Sequence, residues 1–270
     1  MSDKTPMLTL DKVSKTFLKG TVNAKVALNS LSLTINKGDF VTIIGGNGAG
    51  KSTMMNAVSG SFKIDSGSII LDGIDISTMP EHKRAKYLGR VFQDPMVGTA
   101  AGMQIDENLA LAYRKGNPRT LKWGVKSQER EIYKKILSEL GLGLEDRLSS
   151  KVGLLSGGQR QAITLLMATL KQPKLLLLDE HTAALDPKTA AKVLEITDRL
   201  VSENNLTTVM ITHNMKDAIA HGNRLIMLHD GRVIIDVSGE EKKKLTVEHL
   251  LNMFTEASGN DFASDRAILS

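Results

Sequence analysis

The stretch Gly45-Gly46-Asn47-Gly48-Ala49-Gly50-Lys51-Ser52 has the spacing G-x-x-x-x-G-K-[ST], and its reading decides the fold. It follows an apolar run, Phe40 to Ile44, and precedes a segment, 52–59, that reads as a helix. Glycines let the backbone curl so that successive N–H groups face one anion. The helix N-terminus adds its partial positive charge. Lys51 is placed to reach the β- and γ-phosphates of a nucleotide, the Ser52 hydroxyl to bind Mg²⁺, and Thr53 follows them into the helix. A glycine-rich turn that binds nothing would need neither the strand before it nor the Lys-Ser pair within it.

Outward from this loop, two kinds of pattern flank each other. Residues 8–17 and 26–35 alternate apolar and polar, which predicts an N-terminal antiparallel β layer. After residue 40, short apolar strands alternate with helical stretches, as in a parallel α/β sheet, with strands expected at 40–44, 68–71, 88–92, 174–178, 207–212 and 224–229. Between about 95 and 170 no strand pattern occurs, and 128–140 carries Ile132, Ile136, Leu137 and Leu140 at helical spacing. This predicts a helical subdomain inserted into the α/β core. Asp230-Gly231 marks a hairpin, 246–254 suits a short helix, and 258–270 is polar and expected to fray. The expected organisation is one domain over 1–240, then a C-terminal helix and flexible tail over 241–270.

Leu175-Leu176-Leu177-Leu178-Asp179-Glu180 reads as a buried strand ending in two carboxylates. Asp179 is expected to help hold the Mg²⁺, and Glu180, one residue on, to face the γ-phosphate and polarise the attacking water. Asn36-Lys37-Gly38-Asp39 spells a guanine-reading pattern, but it lies before the phosphate loop rather than after it, so a turn between strands is the better reading.

Leu155-Ser156-Gly157-Gly158-Gln159 separates the classes of phosphate-loop protein. Ser-Gly-Gly ahead of an apolar run is a helix N-terminus that a ligand can approach closely, a second anion site. One phosphate loop with two anion sites suggests a nucleotide shared between two chains. The segment resembles the signature motif of ATP-binding cassette (ABC) ATPases, and the resemblance covers about residues 8–240.

The resemblance implies ATP and Mg²⁺ as cofactors, and a second copy of the chain whose signature, Ser156 to Gln159, closes on the ATP of its partner. It implies that Gln93 touches Mg²⁺ and water, that Asp186 crosses the dimer interface and that His213 senses the γ-phosphate. Phe17 stands where the family usually has a tyrosine stacked on adenine. The chain looks like the separate ATPase subunit of a bacterial importer. Lys15-Thr16-Phe17 with Gly20-Thr21, and the run Asp179 to Ala190, look most like a group described as putative tryptophan/tyrosine or small-solute systems. Its implied partners are an integral-membrane permease and, indirectly, a solute-binding protein or lipoprotein, at the cytoplasmic face of the membrane. An exporter subunit, or a non-transport ABC protein acting on ribosomes or DNA, remains an alternative on these residues alone.

Composition agrees with this picture. In 270 residues, 41% are hydrophobic and 24% charged, which suits a packed globular chain. No cysteine is present, which excludes disulfide scaffolds, thiol catalysis and cysteine zinc sites. A net charge of +5 without a concentrated basic arm gives nucleic-acid binding little support. The longest apolar stretches fall well short of a membrane span, and the first residues lack the apolar core of a secretory signal.

Overall fold

The computed structural model describes residues 5–116 and 124–258; the expected fraying of the tail lies almost wholly outside them. Two sheets share one apolar core. The first is antiparallel. β1 (Pro6–Phe17) pairs with β2 (Lys25–Asn36), as their alternation demands. The turn into β3 (Phe40–Ile44) is Asn36 to Asp39, where an Asp39 carboxylate oxygen accepts from the Asn36 N–H at 3.0 Å. The guanine-like pattern is therefore a turn.

After β3 come the phosphate loop and α1 (Lys51–Ser59), then β4 (Ser66–Leu71) and the short β5 (Ile74–Asp75). β4 corrects one expectation. The pattern of residues 68–71 predicts a place in the parallel sheet, yet β4 pairs antiparallel with β1, Leu8 opposite Leu71 and Leu10 opposite Ile69, giving the order β2-β1-β4-β5. The physical reason lies in the residues. A strand covered on both faces is apolar at nearly every position. In Ser-Gly-Ser-Ile-Ile-Leu only Ile69 and Leu71 are fully buried, which suits a strand with one wet face.

A short helix, α2 (Glu81–Arg84), leads to β6 (Leu88–Val91). The chain from β6 to β7 (Leu175–Asp179) then contains α3 (Ile105–Tyr113), α4 (Ser127–Ser138) and α5 (Gly157–Thr169), but no strand among the described residues. Beyond β7 follow α6 (Pro187–Glu203), β8 (Thr208–Ile211), α7 (Met215–Ala220), β9 (Arg224–His229) and β10 (Arg232–Ser238). Two last helices, α8 (Gly239–Lys243) and α9 (Val247–Ser258), complete the described chain.

The second sheet has the order β10-β9-β3-β8-β7-β6, parallel except for the β9–β10 hairpin. Its central strands are buried on both faces, which is why they read as unbroken apolar runs. In β7, Leu175 and Leu177 join the cluster shared with β1, β2, β4 and α1, while Leu176 and Leu178 join the one shared with α3 to α6. Leu250 and Phe254 of α9 pack with Ile44, Met215 and Met227 in a third cluster.

α5 lies so close to β6 that a side chain does not fit between them. A Cβ placed on Gly89 would sit 2.5 Å from the Ala168 carbonyl oxygen. Gly89→Ala is expected to push α5 off the sheet and destabilise the fold by about 1–3 kcal/mol. Urea unfolding checks this, and an unchanged midpoint would show that the approach has slack.

Candidate functional site

Strand order assembles the site. Strands β3, β8, β7 and β6 are parallel neighbours, so their C-terminal ends, where α/β sheets hold ligands, lie along one edge. β3 delivers the phosphate loop, β8 delivers His213, β7 delivers Asp179 and Glu180, and β6 delivers Gln93.

The loop is fitted against backbone on two sides. Gly45 has φ +151°, and a Cβ there would lie 2.3 Å from the Leu228 carbonyl oxygen of β9. Gly50, with φ +101°, is the left-handed N-cap of α1, and a Cβ there would lie 2.6 Å from the Ala27 oxygen of β2. No side chain caps α1, so its first N–H groups are left to the loop and to a ligand. Gly46 and Ala49 are buried, Asn47 and Gly48 exposed. Buried Lys51 folds back over the loop, its ammonium donating to the Gly45 oxygen at 2.7 Å and the Gly46 oxygen at 3.1 Å. Ser52 is exposed and Thr53 half-buried on the first turn of α1.

Glu180 has φ +47°, a conformation that costs a non-glycine residue on the order of 1 kcal/mol. Its N–H donates to Ile211 O at 3.0 Å, which secures the turn to β8. The Glu180 Oε1 then lies 2.6 Å from the His213 Nε2, so the two residues expected to act on the γ-phosphate end are in direct contact. Asp179 Oδ2 lies 3.1 Å from the Arg90 guanidinium. A cleft of about 720 Å³ opens beyond Glu180 and His213, toward Leu185, Asp198 and His221.

Gln93 is exposed just past β6. Its neighbour Phe92 is tied to the signature helix, since buried Gln161 of α5 donates to the Phe92 oxygen at 3.3 Å. Ser156 caps α5: its Oγ accepts from the Gln159 N–H at 3.3 Å, and the Gln159 Oε1 accepts from the Ser156 N–H at 3.2 Å. Gly157 and Gly158 pack on Leu185 and Thr189, so the capped end rests on the start of α6. Asp186 is the N-cap of α6, accepting from the Thr189 N–H at 3.1 Å. Hydrogen bonds from Thr189, side chain first and then backbone, hold its carboxyl below the usual range. Asp186 thus has a local structural task as well as the one the resemblance implies.

Phe17 is partly exposed and meets Phe62 edge-on, ring centroids 5.4 Å apart. Opposite Phe17 in the β1–β2 register stands Lys25, whose ammonium lies 3.1 Å from where a Gly48 Cβ would be. Sequence reasoning passed over Lys25 and Arg90. A lysine on an alternating strand carries no signal, whereas an arginine inside an apolar parallel strand does, because it must find buried partners.

His181 also differs from an ordinary surface histidine. It is buried, and its Nε2 lies 3.1 Å from the Thr197 Oγ1. The Thr197 hydroxyl already donates to the Val193 oxygen at 2.8 Å, so the histidine donates and is the neutral Nε2–H tautomer.

Fold and site together define a phosphate-loop nucleotide-binding domain of the cassette type. The ABC transporter family profile matches residues 28–183. A tyrosine transport ATP-binding protein of Clostridioides difficile is 47% identical over 93% of this chain and all of its own length. A spermidine/putrescine import ATP-binding protein of Haemophilus influenzae is 35% identical over 87% of the chain, which spans 59% of that relative. Among solved structures, a dimeric ATP-binding cassette in a post-hydrolysis state with ADP and Pi superposes with a TM-score of 0.73 at 30% identity, covering 86% of this chain and 98% of that one. The chain belongs to the ABC transporter family and is an ATPase of that family. Its 47% identical relative falls in the tyrosine-type group that the sequence resembles.

Burial pushes the His181 pKa down to about 4, with His221 adding repulsion. Between about pH 6.5 and 4 the unfolded chain therefore binds the proton and the folded chain does not, so stability falls with falling pH. Between pH 7 and 5 the native protein should lose about 2 kcal/mol more than His181→Gln. Urea unfolding of both at the two pH values measures this, and equal losses would contradict it.

Proposed function

We propose that the chain powers import of a small solute through a separate permease, working as a dimer that closes on two ATP. The observation that carries this reading is the direct contact of Glu180 with His213 beside Asp179, on the edge to which β3 brings the phosphate loop. In this reading Gly45 to Lys51 cradle the phosphates, with Ser52 and Thr53 on the first turn of α1, and Phe17 lies against the adenine. Lys51 leaves its two loop carbonyls for the β- and γ-phosphates. Glu180 orients and polarises the attacking water, and His213, already in contact with Glu180, registers whether the γ-phosphate is present. Ser156 to Gln159 of each chain complete the site of the other, and Asp186 lies at the seam between the two chains.

Ser52, Gln93 and Asp179 form the metal-facing set. Their hard oxygens suit Mg²⁺, and among the described residues no group of three or more His, Cys, Asp or Glu gathers to hold a metal unaided. That fits an ion shared with nucleotide phosphates and water. Mg²⁺ bound there would supply charge neutralisation on the phosphate oxygens.

Residues 1–240 act as the ATPase unit, with the helical segment of about 95–170 as the part that moves, and 241–270 as its C-terminal extension. Met96 and Val97, exposed just after Gln93, suit permease docking. No described helix is long and apolar enough to cross a membrane, so the placement proposed is peripheral, on the cytoplasmic face through the permease. The 47% identical relative supports an aromatic amino acid such as tyrosine as the solute, delivered by a solute-binding protein or lipoprotein.

The tagged chain is expected to co-purify from solubilised membranes of its source with a multi-span permease, and mass spectrometry identifies it. Recovery of ribosomal proteins or nucleic acid without a permease would leave the ATPase chemistry standing and overturn the transport reading.

A further inference from the structure

Arg90 is the charged residue of β6, half-buried between α1 and β7. Its guanidinium bonds to two elements at once, α1 and β7. Nη1 donates to the Ser59 Oγ at 3.0 Å, Nη2 to the Asn56 Oδ1 at 2.7 Å, and Nη2 also to the Asp179 Oδ2 at 3.1 Å. The plane sits over the Phe92 ring, with Cζ 4.6 Å from its centroid. Ser59 and Asn56 hold the cation on the helix that the phosphate loop opens, and Phe92, just past β6, stacks on it. The cation is therefore fixed independently of Asp179, and it neutralises the carboxylate that the proposed function assigns to the metal.

We infer that Arg90 is a charge-balancing positioning residue: it holds Asp179 in place when no cation is bound and weakens the grip of the site on a divalent cation when one is. The inference rests on Asp179 facing the metal. Two effects compete when Arg90 is removed. Asp179 loses an orienting partner, which weakens cation binding, and the site loses a fixed positive charge beside a doubly charged ion, which strengthens it. Coulomb repulsion between a unit and a double charge a few ångströms apart at a half-buried site exceeds what one oriented hydrogen bond contributes, so the second effect wins. A site weakened in this way exchanges its cation with each turnover instead of retaining it with product.

The test is Mn²⁺ binding followed by electron paramagnetic resonance in the presence of ADP, a readout separate from turnover. Arg90→Met and Arg90→Gln both remove the charge, and the glutamine keeps hydrogen-bonding capacity toward Asn56 and Ser59, so it serves if the methionine variant folds poorly. Both should bind Mn²⁺ about three- to tenfold more tightly than the native protein. Arg90→Lys, which keeps the charge, should stay near native, and Asp179→Asn should bind markedly more weakly. Unchanged or weaker binding in the two neutral variants, with Asp179→Asn still impaired, would overturn the role of Arg90. Native Mn²⁺ binding by Asp179→Asn would instead remove Asp179 from the metal site and take away the premise.

Discussion

The phosphate loop is held in shape by two backbone approaches that exclude every side chain. Gly45 passes the Leu228 carbonyl of β9, and Gly50 passes the Ala27 carbonyl of β2. The loop is thereby pinned between the two sheets, and the N–H groups that the proposed function assigns to phosphate are held in place before any ligand arrives. The cost of arranging those dipoles is met in folding rather than in binding, which is how such sites gain affinity for phosphate. The rest of the architecture serves the same edge. β8 lies next to β3 and β7 next to β8, all three covered on both faces, and the carboxyl ends of β8 and β7 bring His213, Asp179 and Glu180 to the same edge as the loop.

Three charged groups at this edge rest on protein partners. Lys51 rests on two loop carbonyls, Asp179 on Arg90, and Glu180 on His213. Each of these three groups already has a protein partner of suitable polarity, so none of them is buried uncompensated. Binding then exchanges one set of polar contacts for another. Glu180 adds a strained backbone, and its position is over-determined by the Ile211 hydrogen bond and the His213 contact.

Much of this was legible in the sequence, because the chemistry is local. The phosphate loop is eight consecutive residues, and Asp179-Glu180 follows four leucines whose burial on both faces is written in their composition. The capping box at Ser156 and Gln159 is likewise a three-residue spacing. What escaped depends on partners distant in sequence. The apolar end of β4 fits either sheet until its pairing with β1 is known. Arg90 finds Asn56 and Asp179 only once β6 lies beside β7. The sequence beside Glu180 gives no sign that α6 buries His181 against Thr197. The alternating run of 8–17 ends at Phe17, as β1 does, but the edge contact of Phe17 with Phe62 depends on the return of the chain after α1.

The central claim is that each site is completed by a second copy of the chain. Light scattering on Glu180→Gln, with Mg²⁺ and ATP and again with Mg²⁺ and ADP, tests it most directly. The account predicts a mass of two chains with ATP and one with ADP, with turnover nearly abolished in the variant. A single-chain mass under saturating ATP would contradict it, whereas turnover at the native rate would instead remove Glu180 from the catalytic role.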